Sequence, residues 1–245
     1  MKQDSMAHTT TLCGISSMAT QAVLAELAGD FLRDAGVTLA LESMGGVDAA
    51  KRVRAGEAFD LVFLARDAID ALAESGHVLT GSRLDLVRSA VSVAVPAGAP
   101  VPDIGTEATL QRAVLAASRI GYSTGPSGVA LTALFARWGV LAQLQDRLVQ
   151  APPGVPVGRL LAQGEVTLGF QQTSELLQLS GITLLGPMPA EVAIVTTFSG
   201  GVCAACDQVP AAQALLQYFA SPATLAAKRR QGMEQALALE EREHV

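Results

Sequence analysis

Ile120-Gly-Tyr-Ser-Thr-Gly-Pro-Ser-Gly-Val129 is the stretch whose reading decides the fold. The run Val114–Ile120 ahead of it is short and apolar, as a buried strand is. Behind it, Val129, Leu131, Leu134 and Phe135 recur at helical spacing as far as Trp138. Pro126 stands where a first helical turn accepts a proline. Ser123, Thr124, Gly125, Ser127 and Gly128 therefore occupy the step from a strand into a helix. At such a step the unpaired helical N–H groups and the helix dipole favour an anion. Alone, the step is more often an ordinary helix cap.

Outward from this stretch the pattern repeats. Thr9–Cys13 is β-prone and passes through Gly14-Ile-Ser-Ser-Met18 into a helix whose buried face is Ala22, Leu24, Leu27 and Phe31. Ser16 and Ser17 thus sit between strand and helix. The strand Gly36–Leu41 runs through Ser43-Met-Gly-Gly46 into an amphipathic helix ending near Gly56, which puts the bare backbone of Gly45 and Gly46 at a second helix start. Phe59–Leu64 is a third strand, followed by a helix over Arg66–Ser75. Three strand–helix steps in succession predict a parallel sheet with both faces covered, and ligands on such sheets gather beyond the carboxyl ends of the strands.

Leu84–Pro96 reads as one long strand, broken by Pro96, Pro100 and Pro102, and crosses into a second lobe. There the pattern predicts a helix over Thr106–Ser118 with Thr106 as cap, which competes with the strand reading for residues 114–118. It further predicts helices over Leu141–Leu148 and Val157–Gln163. The strand Val166–Phe170 ends in Gln171-Gln-Thr-Ser174, and a short helix over Leu176–Leu179 and the strand Ile182–Leu185 follow. Glu191–Phe198 crosses back, pairing near Leu86–Val95, and helices over Pro210–Phe219 and Ser221–Arg230 return to the first lobe, ahead of a frayed tail over Leu239–Val245. The expected fold is α/β and two-lobed, with mixed, mostly parallel sheets joined by two crossing strands. The lobes are expected at 1–86 with 196–245, and at 87–195.

Of the 245 residues, 50% are hydrophobic and 16% charged, with a net charge of −6, so a large core is expected and nucleic acid or an anionic membrane surface is not. No apolar run is long enough to span a bilayer. Only 4% of residues are aromatic, which leaves little for a stacking platform and favours a small polar ligand. Three cysteines make no disulfide framework, and Cys203-Ala-Ala-Cys206 lacks the surroundings of a redox motif, so both read as small buried residues. No metal and no cofactor are expected. Met1–His8 carries no apolar leader core, so the chain as it stands is expected in the cytoplasm, and in the periplasm if a leader has been removed.

Taken together, Gly14-Ile-Ser-Ser-Met18, Met44-Gly-Gly-Val47, Phe59-Asp-Leu-Val-Phe-Leu-Ala65, Gly125-Pro-Ser-Gly128 and Leu168-Gly-Phe-Gln-Gln172 resemble the type II periplasmic-binding-protein-like family, the solute-binding proteins of ABC importers, in its molybdate-binding branch. The resemblance runs from about Thr9 to Met233. It implies closure of two lobes on a small anion, with an importer permease as partner if the chain is exported. Carried over residue by residue, it implies that Ser17 is a hydroxyl donor and that Ser127, Gly128 and Val157 are backbone donors. Gly46 stands where the family has a second serine, and Gln172 where it has a tyrosine. The amide pair Gln171-Gln172 suits carboxylate or carbonyl oxygens, which makes an organic acid an alternative to a molybdate-like oxyanion.

Binding without chemistry is the leading expectation. The rival is an isomerase of a small unsaturated acid on the same scaffold, which needs an acid–base group beside the ligand. His8, His77 and His244 fall at the ends or after a helix stop. Glu175 and Arg66 follow strand ends and are the charged residues that could face the cleft; an Arg66 there would pair with a ligand carboxylate. The absence of a preceding helix-turn-helix pattern counts against a transcription-factor sensor.

Overall fold

The computed structural model describes residues 10–236. Strand β1 (Thr10–Ser17) passes through a 3-10 turn (Met18–Thr20) into α1 (Gln21–Ala35), β2 (Val37–Met44) leads to α2 (Gly46–Arg54), and β3 (Leu61–Ala65) leads to α3 (Arg66–Glu74). β1 lies between β2 and β3 and parallel to both, so all three strands end at one edge, with Ser17 level with Met44 and Ser16 with Phe63. Parallel neighbours require a crossover, and the helices supply it. Along β3 successive side chains serve two cores, as the pleat dictates. Leu61 and Phe63 pack with α1 residues Val23, Leu24, Leu27 and Phe31. Val62 and Leu64 pack with Val53 of α2 and Ile69 and Leu72 of α3.

β4 (Leu84–Pro96) serves two sheets. Its first half pairs antiparallel with β9 (Val195–Val202), from Leu84 opposite Gly200 to Ala90 opposite Val195. Its second half pairs antiparallel with β7 (Leu168–Gln172) and β8 (Ile182–Pro187). β9 in turn pairs with β3, Ala65 lying opposite Phe198. In the second lobe come α4 (Glu107–Ala116), β5 (Ile120–Tyr122), α5 (Pro126–Arg137), α6 (Leu141–Leu144), β6 (Leu148–Gln150), α7 (Val157–Ala162) and α8 (Thr173–Leu176). β5 is parallel to both β6 and β7. The fold is therefore two-lobed α/β, with mixed sheets joined by β4 and β9.

α9 (Val209–Ala220) and α10 (Leu225–Arg230) come back to the first lobe, where Phe219 packs on Phe63 with ring centroids 5.9 Å apart. The short β10 (Glu234–Gln235) then pairs with β4 at Arg88 and Val87. α8 and the turn after β1 are stitched together by Ser174 Oγ, which donates to Ala19 O at 2.8 Å.

Several boundaries differ from the sequence reading: the strand expected over Glu191–Phe198 runs over Val195–Val202, the helix expected over Leu176–Leu179 lies at Thr173–Leu176, and the strand expected over Val166–Phe170 takes in both glutamines as Leu168–Gln172. Val114–Ala116 completes α4 instead of starting a strand, because Val114 lies one helical turn from Leu110 and shares its core, and the strand begins only at Ile120. The helix expected to reach Leu148 stops at Leu144, and Leu148 opens β6 against Ile120. Thr106 caps α4 as expected, its Oγ1 accepting the Thr109 N–H at 3.2 Å. The frayed tail expected over Leu239–Val245 lies outside the described residues, as do His8 and His244.

Candidate functional site

A cavity of about 560 Å³ opens at the carboxyl ends of the strands, lined from the first lobe by Ser17, Gly45 and Gly46, and from the second by Ser123–Ser127, Gln171 and Gln172. Three segments build its polar wall. Ser17 ends β1 in extended conformation, with its Oγ 3.3 Å from Thr20 Oγ1. The Thr20 hydroxyl spends its proton on Ser17 O at 3.1 Å, so the Ser17 proton is held by one long bond and is available to a ligand. In α2 the first full-turn bond is Ala49 N–H to Gly45 O at 2.9 Å, and the amides of Gly46 and Val47 precede it. A Cβ on Gly46 would lie 3.7 Å from Ser17 Cβ, so these two donors are neighbours. Opposite them, α5 starts at Pro126 behind Gly125, and Ser127 Oγ lies 3.0 Å from Ser123 Oγ.

The glutamines close the inner wall. Gln172 is 4% exposed; its Nε2 donates to Thr196 Oγ1 of β9 at 2.8 Å, and its buried Oε1 has no hydrogen-bond partner. Thr196 can donate as well as accept, so either end of the Gln172 amide can be turned to a ligand. Gln171 is spoken for at both ends: its Oε1 accepts the Val157 N–H at 2.8 Å and its Nε2 donates to Glu175 Oε1 at 2.8 Å. Glu175, on α8, lines the same cavity. Burial pushes its carboxyl up to about 7, against the smaller opposing effect of the Gln171 bond.

The family model described as bacterial extracellular solute-binding protein matches residues 14–234. The chain belongs to that family. An aconitate isomerase from Pseudomonas sp. is 36% identical to this solute-binding protein over 218 residues, covering 86% of this chain and 83% of the isomerase. Among solved structures, the periplasmic molybdate-binding protein of Azotobacter vinelandii superposes with a TM-score of 0.77 at 20% identity, over 93% of this chain and 99% of that one. PEB3 with bound L-phospholactate superposes with a TM-score of 0.73 at 13% identity, over 92% of this chain and 100% of that one. At these identities the structural likenesses speak for the fold alone.

Within this solute-binding protein the sequence-derived site residues divide. Ser17, Gly45, Gly46, Ser127, Gln171 and Gln172 meet at the cavity. Ser16 does not: it is fully buried, with its Oγ 2.8 Å from Ser43 Oγ of the neighbouring strand. Gly128 faces inward too; its N–H binds Gly125 O at 2.9 Å, and a Cβ there would fall 1.9 Å from Ser123 O. The Val157 N–H is consumed by Gln171. Arg66 lies at the junction of the crossing strands, where Asp85 holds both its Nε, at 3.2 Å, and its Nη2. Asp85 Oδ1 also accepts from Arg83 Nη1 at 2.6 Å and Ser199 Oγ at 2.7 Å. Arg66→Ala is therefore expected to lower stability by about 1–2 kcal/mol while changing ligand affinity less than twofold. Paired urea melts and calorimetric titrations check this.

Several lining residues were not picked out from the sequence. Val47, Ala50, Lys51 and Arg54 follow one another on the cavity face of α2, a helical stripe running on from the Gly45-Gly46 turn. That spacing was readable in the sequence, but nothing in it said which face would meet the cleft. Thr196 carried no signal inside an apolar crossing strand. Cys203 and Cys206 are buried, and burial pushes their thiols up to about 12 and about 11, which keeps them protonated at neutral pH.

Proposed function

We propose that the two lobes close on a small unsaturated polycarboxylic acid of the aconitate kind, and that Glu175 isomerises it by moving a proton along its carbon skeleton. The observation that carries this reading is a carboxyl group on the cavity wall that changes charge near pH 7. A general base works best when its pKa lies near the working pH. Glu175 takes a proton from the methylene carbon beside a carboxylate. The C–H electron pair becomes a new carbon–carbon double bond, the old double bond gives up its pair, and the far carbon takes up the proton. No proton is gained or lost overall, and no redox partner is needed. While the skeleton carries the displaced charge, it spreads onto conjugated carboxylate oxygens, where Ser17, the Gly46 and Val47 amides of α2 and the Ser127 amide of α5 can hold it.

The identity to an aconitate isomerase supports the same reading, as do the departures at Gly46 and Gln172 from the molybdate pattern. Lys51 and Arg54 offer positive charge to a second or third carboxylate. Closure takes place about β4 and β9, with the lobes taken as residues 1–86 with 196–245 and 87–195. Binding alone, with delivery to an importer permease, is the second reading, and family membership favours it.

Proton NMR of trans-aconitate incubated with the protein in deuterium oxide separates them. Appearance of the cis isomer with deuterium entering the skeleton is the expected result. A thermal shift without conversion would leave the binding reading, since ligand at 100 times its Kd adds about 2.7 kcal/mol. A shift with molybdate but not with aconitate would defeat the carboxylic-acid assignment.

A further inference from the structure

We infer that Gln171 is a positioning residue, locked by the first amide of α7 so that it holds Glu175 as a hydrogen-bond acceptor facing the cavity. The inference rests on the reading of Glu175 given above. Amides can usually be turned end for end without loss, but this one cannot. The Val157 N–H can only donate, so at 2.8 Å it requires the oxygen of Gln171, and the NH2 end must then point at Glu175 Oε1, 2.8 Å away. Gln171 is 3% exposed, and Val157, whose amide holds it, is itself wedged against Gly121 and Gly169, so the amide has little room to leave. A donor fixed on a carboxylate favours the ionised form, and it aims the second oxygen of Glu175 away from Gln171.

Among the described residues, burial and the Gln171 bond are the causes that shift the Glu175 carboxyl. Of the elements packed on α8, the strands β7 and β8 and the turn Met18–Thr20 carry no charged side chain. α7 brings only the exposed Arg159, and β4 brings Arg88 and Asp85, the latter held by Arg66 and Arg83. Across the cavity α2 presents Asp48, Lys51 and Arg54.

Gln171→Met removes the donor at nearly equal volume. The acid limb of kcat/KM for trans-aconitate is expected to rise by about one pH unit, giving about fivefold less activity at pH 7 and less than twofold at pH 9.5. A loss that is equal at all pH values would mean that Gln171 is only structural, and would overturn the inference. The ligand-free wild-type protein gives a test that needs neither folding of the variant nor catalysis. By heteronuclear NMR the side-chain amide of Gln171 should titrate with the same midpoint as the Glu175 carboxyl carbon. An amide that ignores the Glu175 titration defeats the inference even if the protein is an isomerase. A coupled titration in a protein that converts nothing leaves the inference standing and removes the isomerase.

Discussion

Glu175→Gln is expected to abolish conversion of trans-aconitate, by about 10³-fold, while its Kd stays within a few-fold of wild type. The size follows from what a positioned general base contributes. The split between turnover and binding follows from geometry, because the amide keeps the volume of the acid and still accepts from Gln171 Nε2, and only proton transfer is lost. The same substitution makes a stability prediction of definite sign. The folded carboxyl sits at about 7, above its ordinary 4.5, so between those values the folded protein binds more protons than the unfolded chain. Stability therefore falls as pH rises through that window. Above it, the buried charge costs roughly 3 kcal/mol, which the glutamine does not incur. Differential scanning calorimetry should show wild type and variant melting together at pH 4 and the variant melting several degrees higher at pH 8. Equal melting at both pH values would mean that Glu175 is solvated and ionised throughout, and would remove it as a base tuned to neutrality.

Gly128→Ala is expected to be the most damaging single methyl in the second lobe, costing at least 3 kcal/mol and most of the ligand affinity. The methyl would fall 1.9 Å from the carbonyl oxygen of Ser123, and that neighbour is backbone, not the end of a flexible chain. Overpacking ordinarily costs about 1–3 kcal/mol because side chains can yield. Here relief requires opening the turn 123–125, which sets Ser127 and the start of α5 at the cavity. Gly125→Ala is the control: a Cβ there meets nothing within 4 Å, and its φ of −82° suits any residue. Urea unfolding and ligand titration of the two variants should separate them widely. Similar stability for both would mean that the turn 123–125 is soft and that the α5 entrance is not a fixed anion cradle.

The first lobe was readable because its three short β-prone runs are each followed at once by small or polar residues and a helical stripe. That pattern admits little besides a parallel sheet with its turns at one edge. The join between α4 and β5 was not readable, since the apolar Val114–Ala117 suits a buried helix end as well as the start of a strand. At the site, position relative to strand ends found Ser17, Gly46, Ser127 and the glutamines. The same logic placed Arg66, Gly128 and Val157 among the ligand contacts, where the structure gives each of them another partner. Those partners are Asp85, nineteen residues on from Arg66, the Gly125 carbonyl, and a glutamine fourteen residues on from Val157. Sequence spacing marks where a backbone turns, but it does not show which distant side chain will fold back to occupy a donor.

The bond from Ser174 Oγ to Ala19 O has a consequence for how the cleft can breathe. It joins the lobes one residue before Glu175 and two residues after Ser17, and Gln172 sits level with Val91, next to the point where β4 changes partners. Points near a rotation axis travel through short arcs and points at the rim through long ones. On the proposed closure about β4 and β9, opening is expected to carry Ser127 and the α2 stripe farther than Glu175, Gln171 and Gln172, which lie beside the crossing strands. On the proposed function, the proton-moving groups would be the pivot of a pair of tongs, and the groups that recognise charge its tips.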